Sequence, residues 1–176
     1  MVTVSVSDET IRTAELVAML AHPNGWHRTT AARLLYQRHD PAAADELRKL
    51  LDDHHAPIEG RVLALHGLQS AGELDAPALI ETLADAAPEL REQAARLAGR
   101  WLRDAANAAS TSRSGVEQAL ISLADDPELY VRYRAAFALG DCQDAARMAA
   151  LAKMIKRDAA NADMQVAVLS SLSRGA

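Results

Sequence analysis

Small and apolar residues recur along this chain at helical spacing. Arg28 is followed three, four and seven residues later by Ala31, Ala32 and Leu35, and the same pattern returns at Arg61 (Ala64, Leu65, Leu68), Arg91 (Ala94, Ala95, Ala98) and Arg132 (Ala135, Ala136, Leu139). A fifth copy, Gln165 with Val168, Leu169 and Leu172, has lost the arginine. Those offsets fall on one stripe of an α-helix. The copies stand about 30 to 40 residues apart, a period that belongs to solenoids of helical hairpins. Each copy therefore predicts the inner helix of one hairpin.

A second apolar stripe precedes each copy: Leu16, Val17, Leu20; Leu47, Leu50, Leu51; Leu79, Ile80, Leu83; Val116, Leu120, Leu123; and Met148, Leu151, Ile155. The expectation is one repeat domain over 1–176 with hairpins at about 8–38, 41–70, 75–107, 114–140 and 143–173. Proline and glycine fall between the stripes, at Pro23, Gly25, Pro41, Pro57, Pro88 and Pro127, as turns require. Asp40 reads as a cap with Pro41 at the first helical position. The small, polar stretch from Ala108 to Gly115 reads as a flexible loop.

Composition supports the all-helical expectation. Alanine and leucine together make about a third of the chain, and the aromatics are few: Trp26, Tyr36, Trp101, Tyr130, Tyr133 and Phe137. Nineteen basic against 24 acidic residues leave a net charge of −5, which gives no overall attraction to nucleic acid or an anionic membrane. The single cysteine, Cys142, excludes an intramolecular disulfide and every Cys-rich metal motif. No apolar run approaches membrane-spanning length and Met1 to Asp8 lack the pattern of a signal peptide, so localisation stays open.

From Asp125-Asp126-Pro127-Glu128 through Arg132, Ala135, Ala136, Leu139 and Gly140, the chain resembles a HEAT repeat, and the resemblance extends over nearly all of it. It implies a right-handed alpha-alpha superhelix of the HEAT/ARM type with about five hairpins. It also implies a structural ladder, with the arginine role at Arg28, Arg61, Arg91 and Arg132 and the aspartate role at Asp85 and Asp126. A narrower resemblance lies in Leu20-Ala21-His22-Pro23-Asn24-Gly25-Trp26-His27-Arg28 and the helix after it, with Arg61-Val62-Leu63-Ala64-Leu65-His66-Gly67-Leu68 further on. This is similar to the HEAT-type middle region of planctomycete and verrucomicrobial membrane-bound dehydrogenase-like proteins that carry a c-type haem part. The resemblance implies a segment of a larger exported protein whose dehydrogenase-like and haem-binding parts lie elsewhere.

Candidate chemistry is sparse. His54-His55 beside Asp52-Asp53 is the densest set of ligand types, but adjacent helical residues point about 100° apart and do not converge on one ion. His39-Asp40 pairs a base with a carboxylate without a nucleophile in the repeat pattern. Cys142 follows a helix C-terminus, where the dipole disfavours a thiolate. HEAT-type deoxyhypusine hydroxylases use His-Glu dipeptides, and no histidine here precedes glutamate. The expectation is a chain that is not an enzyme and has no cofactor and no metal. Trp26 and Tyr130, each just before an anchor arginine, read as staples of a helix start.

The outward face of the inner helices follows from the same geometry. It collects Arg33, His66, Arg96, Arg100 and Arg134, with Tyr133 and Phe137 one turn apart, as a concave partner-binding strip. The functional expectation is a scaffold or protein-interaction segment whose partner is a protein or a neighbouring domain of a longer chain, with no membrane contact. The alternative is a nucleic-acid-binding HEAT-like protein of the alkylpurine DNA glycosylase type.

Overall fold

The computed structural model describes residues 11–104 and 110–173, and every regular element among them is helical. In chain order these are α1 (Thr13–Met19), α2 (Gly25–Arg38), α3 (Ala43–Asp52), α4 (Ile58–Ala71), α5 (Ala76–Leu83), α6 (Pro88–Asp104), α7 (Ser110–Ser122), α8 (Leu129–Ala138), α9 (Arg147–Arg157) and α10 (Ala162–Ser173). Short 3-10 turns, Leu123–Asp125 and Leu139–Asp141, extend α7 and α8.

Local chemistry sets the helix ends. Asn24 caps α2 by accepting from the Trp26 amide at 2.9 Å, and Asp75 caps α5 by accepting from the Ala78 amide at 2.9 Å. At the far end of α4 the chain turns through Gly72 at φ 75°, a conformation that costs glycine nothing. The expected start of α3 is displaced. Asp40 accepts from the Ala42 amide at 3.0 Å and closes a turn over Pro41, so the helix begins at Ala43.

The chain forms two compact units, Met1–Leu74 and Asp75–Ala176. In the first, α1 packs on α2 and α3, and α4 on α2 and α3, around Leu16, Leu20, Ala31, Leu47, Leu65 and Leu68. In the second, α6 and α8 make the most extensive contact, with α5 and α7 on one side and α10 against α8. Its core holds Leu79, Leu90, Ala94, Leu102, Leu120, Ala135, Leu139, Leu151 and Met154, each leucine worth about 1.5 to 3 kcal/mol on burial. Inner helices meet backbone to backbone here. A Cβ on Gly99 would lie 3.1 Å from Ala138 Cα, and one on Gly140 3.1 Å from Ser171 Cα.

Three sequence expectations are corrected by packing. Residues 110–115, expected as loop, form the first turns of α7, while Ala108 and Ala109 lie outside the described residues. The helix is held by Val116 and Leu120, both fully buried, and by Arg113, which donates to the Leu102 carbonyl at 2.9 Å and the Asp141 carbonyl at 3.0 Å. Tertiary contacts thus override a weak helical propensity. The fifth stripe is read one residue late: Met164, Ala167, Val168 and Ser171 are buried, whereas Leu169 is 62% exposed. The Asn161 cap on the Met164 amide sets that register, and a hydroxyl fills the last buried slot because Ser171 donates to the Ala136 carbonyl at 2.6 Å. Finally, Trp26 and Tyr130 are not staples, being 68% and 71% exposed.

Candidate functional site

The anchor arginines make one recurring grip. Arg28, Arg91 and Arg132 each donate Nη1 at 2.8 Å to the carbonyl six residues back (His22, Asp85, Asp126) and at 2.9 Å to the carbonyl five back (Pro23, Ala86, Pro127). Arg61 is buried and donates Nε to the Leu51 carbonyl at 2.8 Å. In the second unit a further clasp joins successive hairpins. Arg91 holds both carboxylate oxygens of Asp126, Nε to Oδ2 at 2.6 Å and Nη2 to Oδ1 at 3.1 Å, and Arg132 Nε reaches Asp158 Oδ2 at 2.8 Å. Asp85 and Asp126 also close their own turns, accepting from the Ala87 amide at 2.8 Å and the Glu128 amide at 2.9 Å.

Asp158 was not among the expected residues, although it stands six places before Met164 just as Asp126 stands six before Arg132. Misplacing the fifth stripe by one residue hid that equivalence. The hydrogen bond from Arg132 is the main reason the Asp158 carboxyl is held below its ordinary range, and the bond that Arg91 donates to Asp126 raises Arg91 further. These charges are committed to the fold.

The expected outward residues divide between the units. In the first, Arg33 is exposed on α2 and His66 is half-buried on α4, where it lines a cleft of that unit. In the second, Arg96, Arg134 and Phe137 come together with Gly99, Arg103, Ala138 and Asp141 around a trough of about 200 Å³. The close approach at Gly99 and Ala138 leaves the side chains around it to form the walls. Arg100 and Tyr133 lie on the same helices but do not line the trough.

Charge in the trough is arranged rather than bare. Arg134 Nε donates to Glu92 Oε1 at 3.0 Å, and Arg103 pairs with Asp141. The Arg134 guanidinium carbon lies 5.6 Å from the Tyr133 ring centroid, within cation–π range, and Tyr133 meets Phe137 edge to face at 5.1 Å. Arg103 and Glu92 lie outside the set expected from the repeat pattern. The seven-residue step from Arg96 to Arg103 was a legible signal, whereas the Glu92–Arg134 pair joins two helices and left none.

Other candidates settle as structure. Among the described residues no group of three or more His, Cys, Asp or Glu is placed to hold a metal ion. His54, His55, Asp52 and Asp53 are all exposed, and Asp53 accepts from the His55 amide at 2.9 Å as a turn does. Burial pushes the Cys142 thiol up to about 12, so it is not a nucleophile at neutral pH. No described helix is long and apolar enough to cross a membrane.

No protein-family model matches the chain, and no curated protein matches it in sequence. Among solved structures it is similar to a chain of the complex of CpcE and CpcF of phycocyanin lyase from a Nostoc species, with a TM-score of 0.71 and 22% identity, covering 91% of this chain and 97% of that one. It is also similar to an engineered protein, with a TM-score of 0.55 and 16% identity over 92% of this chain and 78% of that one. The chain therefore has an all-α, HEAT-like helical-repeat fold. The expectation that the chain is not an enzyme is corrected by the same finding. A helical-repeat chain of this fold forms part of a lyase complex, so a repeat pattern without a nucleophile and base is no ground for excluding enzymatic work.

Proposed function

We propose that the chain is a protein-binding helical-repeat module whose α6–α8 trough takes an acidic segment of a partner. The observation that carries the reading is the gathering of Arg96, Arg103 and Arg134 beside Phe137 on a chain with a net charge of −5. A carboxylate-bearing segment can exchange places with Glu92 or Asp141 on these guanidinium groups, while Phe137 and Tyr133 supply apolar area. That kind of surface steers and orients a partner more than it adds raw affinity. The similarity to a chain of a two-protein lyase complex supports a role in an assembly, in which this module binds the protein on which an activity is exercised. The motif from Leu20 to Arg28 favours one setting for that role, as the repeat region of a larger dehydrogenase-like, haem-containing protein.

Fluorescence anisotropy with a labelled Asp/Glu-rich peptide, a Lys-rich peptide and a DNA duplex tests the reading. The acidic peptide is expected to bind, and Arg96→Gln with Arg134→Gln to weaken it about tenfold or more while helicity is unchanged. Binding of the duplex in preference, with affinity falling steeply between low and moderate salt, would replace this reading with the nucleic-acid one.

A further inference from the structure

A separate concavity in the α1–α4 unit has a different chemistry. It encloses about 200 Å³ between mostly apolar walls that include Leu20, Ala32, Leu35, Leu47 and Leu63. An engineered apolar cavity of about 150 Å³ takes a benzene ring, so the space suits one ring or one branched aliphatic group. Tyr36 and His39 stand at its lining with ring centroids 5.4 Å apart, and Tyr36 is 61% exposed.

The charged lining is one-signed. Asp40 and Glu73 both line the cleft, the histidines there are His39 and His66, and no lysine or arginine is among the described lining residues. Asp40 accepts hydrogen bonds from the Thr13 hydroxyl and the Ala42 amide, which hold its carboxyl below the usual range. Glu73 keeps its place through Arg48, whose Nη2 donates to the Glu73 carbonyl at 2.9 Å and stands 3.6 Å from its carboxylate. A cation entering the cleft finds carboxylate acceptors and an aromatic side chain in its lining, whereas an anion finds no lysine or arginine there.

We propose that this cleft binds a small organic amine, with an aromatic or branched aliphatic body against the leucine walls and its ammonium group toward Asp40 and Glu73. The site is independent of the acidic-partner reading, since it rests on other residues in the other unit.

Phenethylamine is the probe, titrated into the full chain by calorimetry and followed by amide chemical-shift changes. Saturable binding is expected, with perturbations centred on Ala32, Leu63 and Ala71. Phenylacetate, which keeps the ring and reverses the charge, is expected to bind about tenfold more weakly or not at all. Glu73→Gln is expected to weaken phenethylamine about threefold or more, as is Asp40→Asn, which retains an oxygen for the Ala42 amide. Ser70→Trp, which fills the cleft, is expected to abolish binding. Should Asp40→Asn fail to fold, Glu73→Gln decides alone, because Glu73 is exposed. Equal affinity for phenylacetate, an unaffected Glu73→Gln variant, or no saturable shifts with phenethylamine at millimolar concentration would each overturn the proposal.

Discussion

The two units use the same arginine grip and differ in what stands six residues before the anchor. That slot holds His22 and His55 in the first unit, and Asp85, Asp126 and Asp158 in the second. In the second unit Arg91 and Arg132 therefore bind carboxylates of the following turns, with both partners of the Arg132–Asp158 pair almost wholly buried. In the first, Arg28 holds the carbonyls of its own turn, while His22 accepts from the Asn24 amide at 3.0 Å and meets the His27 ring at a tilt with ring centroids 4.4 Å apart. The grip belongs to each hairpin alone. The clasp is a second layer that one aspartate adds, and it ties neighbouring hairpins into one cooperative body.

The sharpest way to break that comparison is to remove one arginine from each layer. Arg132→Met is expected to cost about 3 to 5 kcal/mol, because it leaves Asp158 charged and nearly buried and uncaps two carbonyls. Arg28→Met loses hydrogen bonds to two turn carbonyls and is expected to cost about 1 kcal/mol. Urea unfolding of both variants measures the difference, and equal losses would show that the clasp adds nothing.

Backbone contact between inner helices comes next. Gly140→Ala puts a methyl group 3.1 Å from Ser171 Cα and is expected to cost about 2 kcal/mol in thermal unfolding. An unchanged midpoint would mean that α10 slides without cost, against the register derived from the Asn161 cap.

Asp158→Asn isolates the charge of the clasp and is expected to cost about 1.5 kcal/mol at neutral pH. The Asp158 carboxyl titrates below its ordinary 3.8 in the folded chain, so its contribution is fully present above 3.8 and is lost as pH falls through the folded value. The stability gap between wild type and variant should therefore hold from neutral pH down to about 4 and close below it. A gap that persists undiminished in stronger acid would show that packing, not charge, makes the clasp.

The smallest effect sharpens the comparison from the exposed side. Trp26→Ala is expected to change stability by less than about 0.5 kcal/mol, since the ring is 68% exposed. A larger loss would show that Trp26 staples its helix after all.

Much of the fold was legible because burial in a helical hairpin imposes a period that few other folds share. The stripes at Arg61, Arg91 and Arg132 bury the residues their spacing selects: Ala64, Leu65 and Leu68; Ala94, Ala95 and Ala98; Ala135, Ala136 and Leu139. Legibility failed where a polar residue occupies a buried slot or an apolar one lies outside. Ser171, bonded to the Ala136 carbonyl, and Leu169, in solvent, together moved the fifth stripe by a residue. The candidate sites were less legible still. Arg96, Arg134, Phe137 and Asp141 could be placed on outward faces, but the pairings of Glu92 with Arg134 and of Arg103 with Asp141, which set the charge at the trough, arise from packing between helices.

By itself, then, the sequence determined the class of element, the hairpin period and the arginine at the head of the first four inner helices, because these depend on spacings within one turn or two of the same helix. Only the tertiary structure decided which acids neutralise which arginines, that residues 110–115 are helical, and that the first unit carries an apolar cleft with carboxylates at its lining. Those outcomes depend on groups tens of residues apart in the chain. Their meeting is set by how closely one backbone can approach another, as at Gly99 with Ala138 and Gly140 with Ser171, and no period within a single helix records that distance.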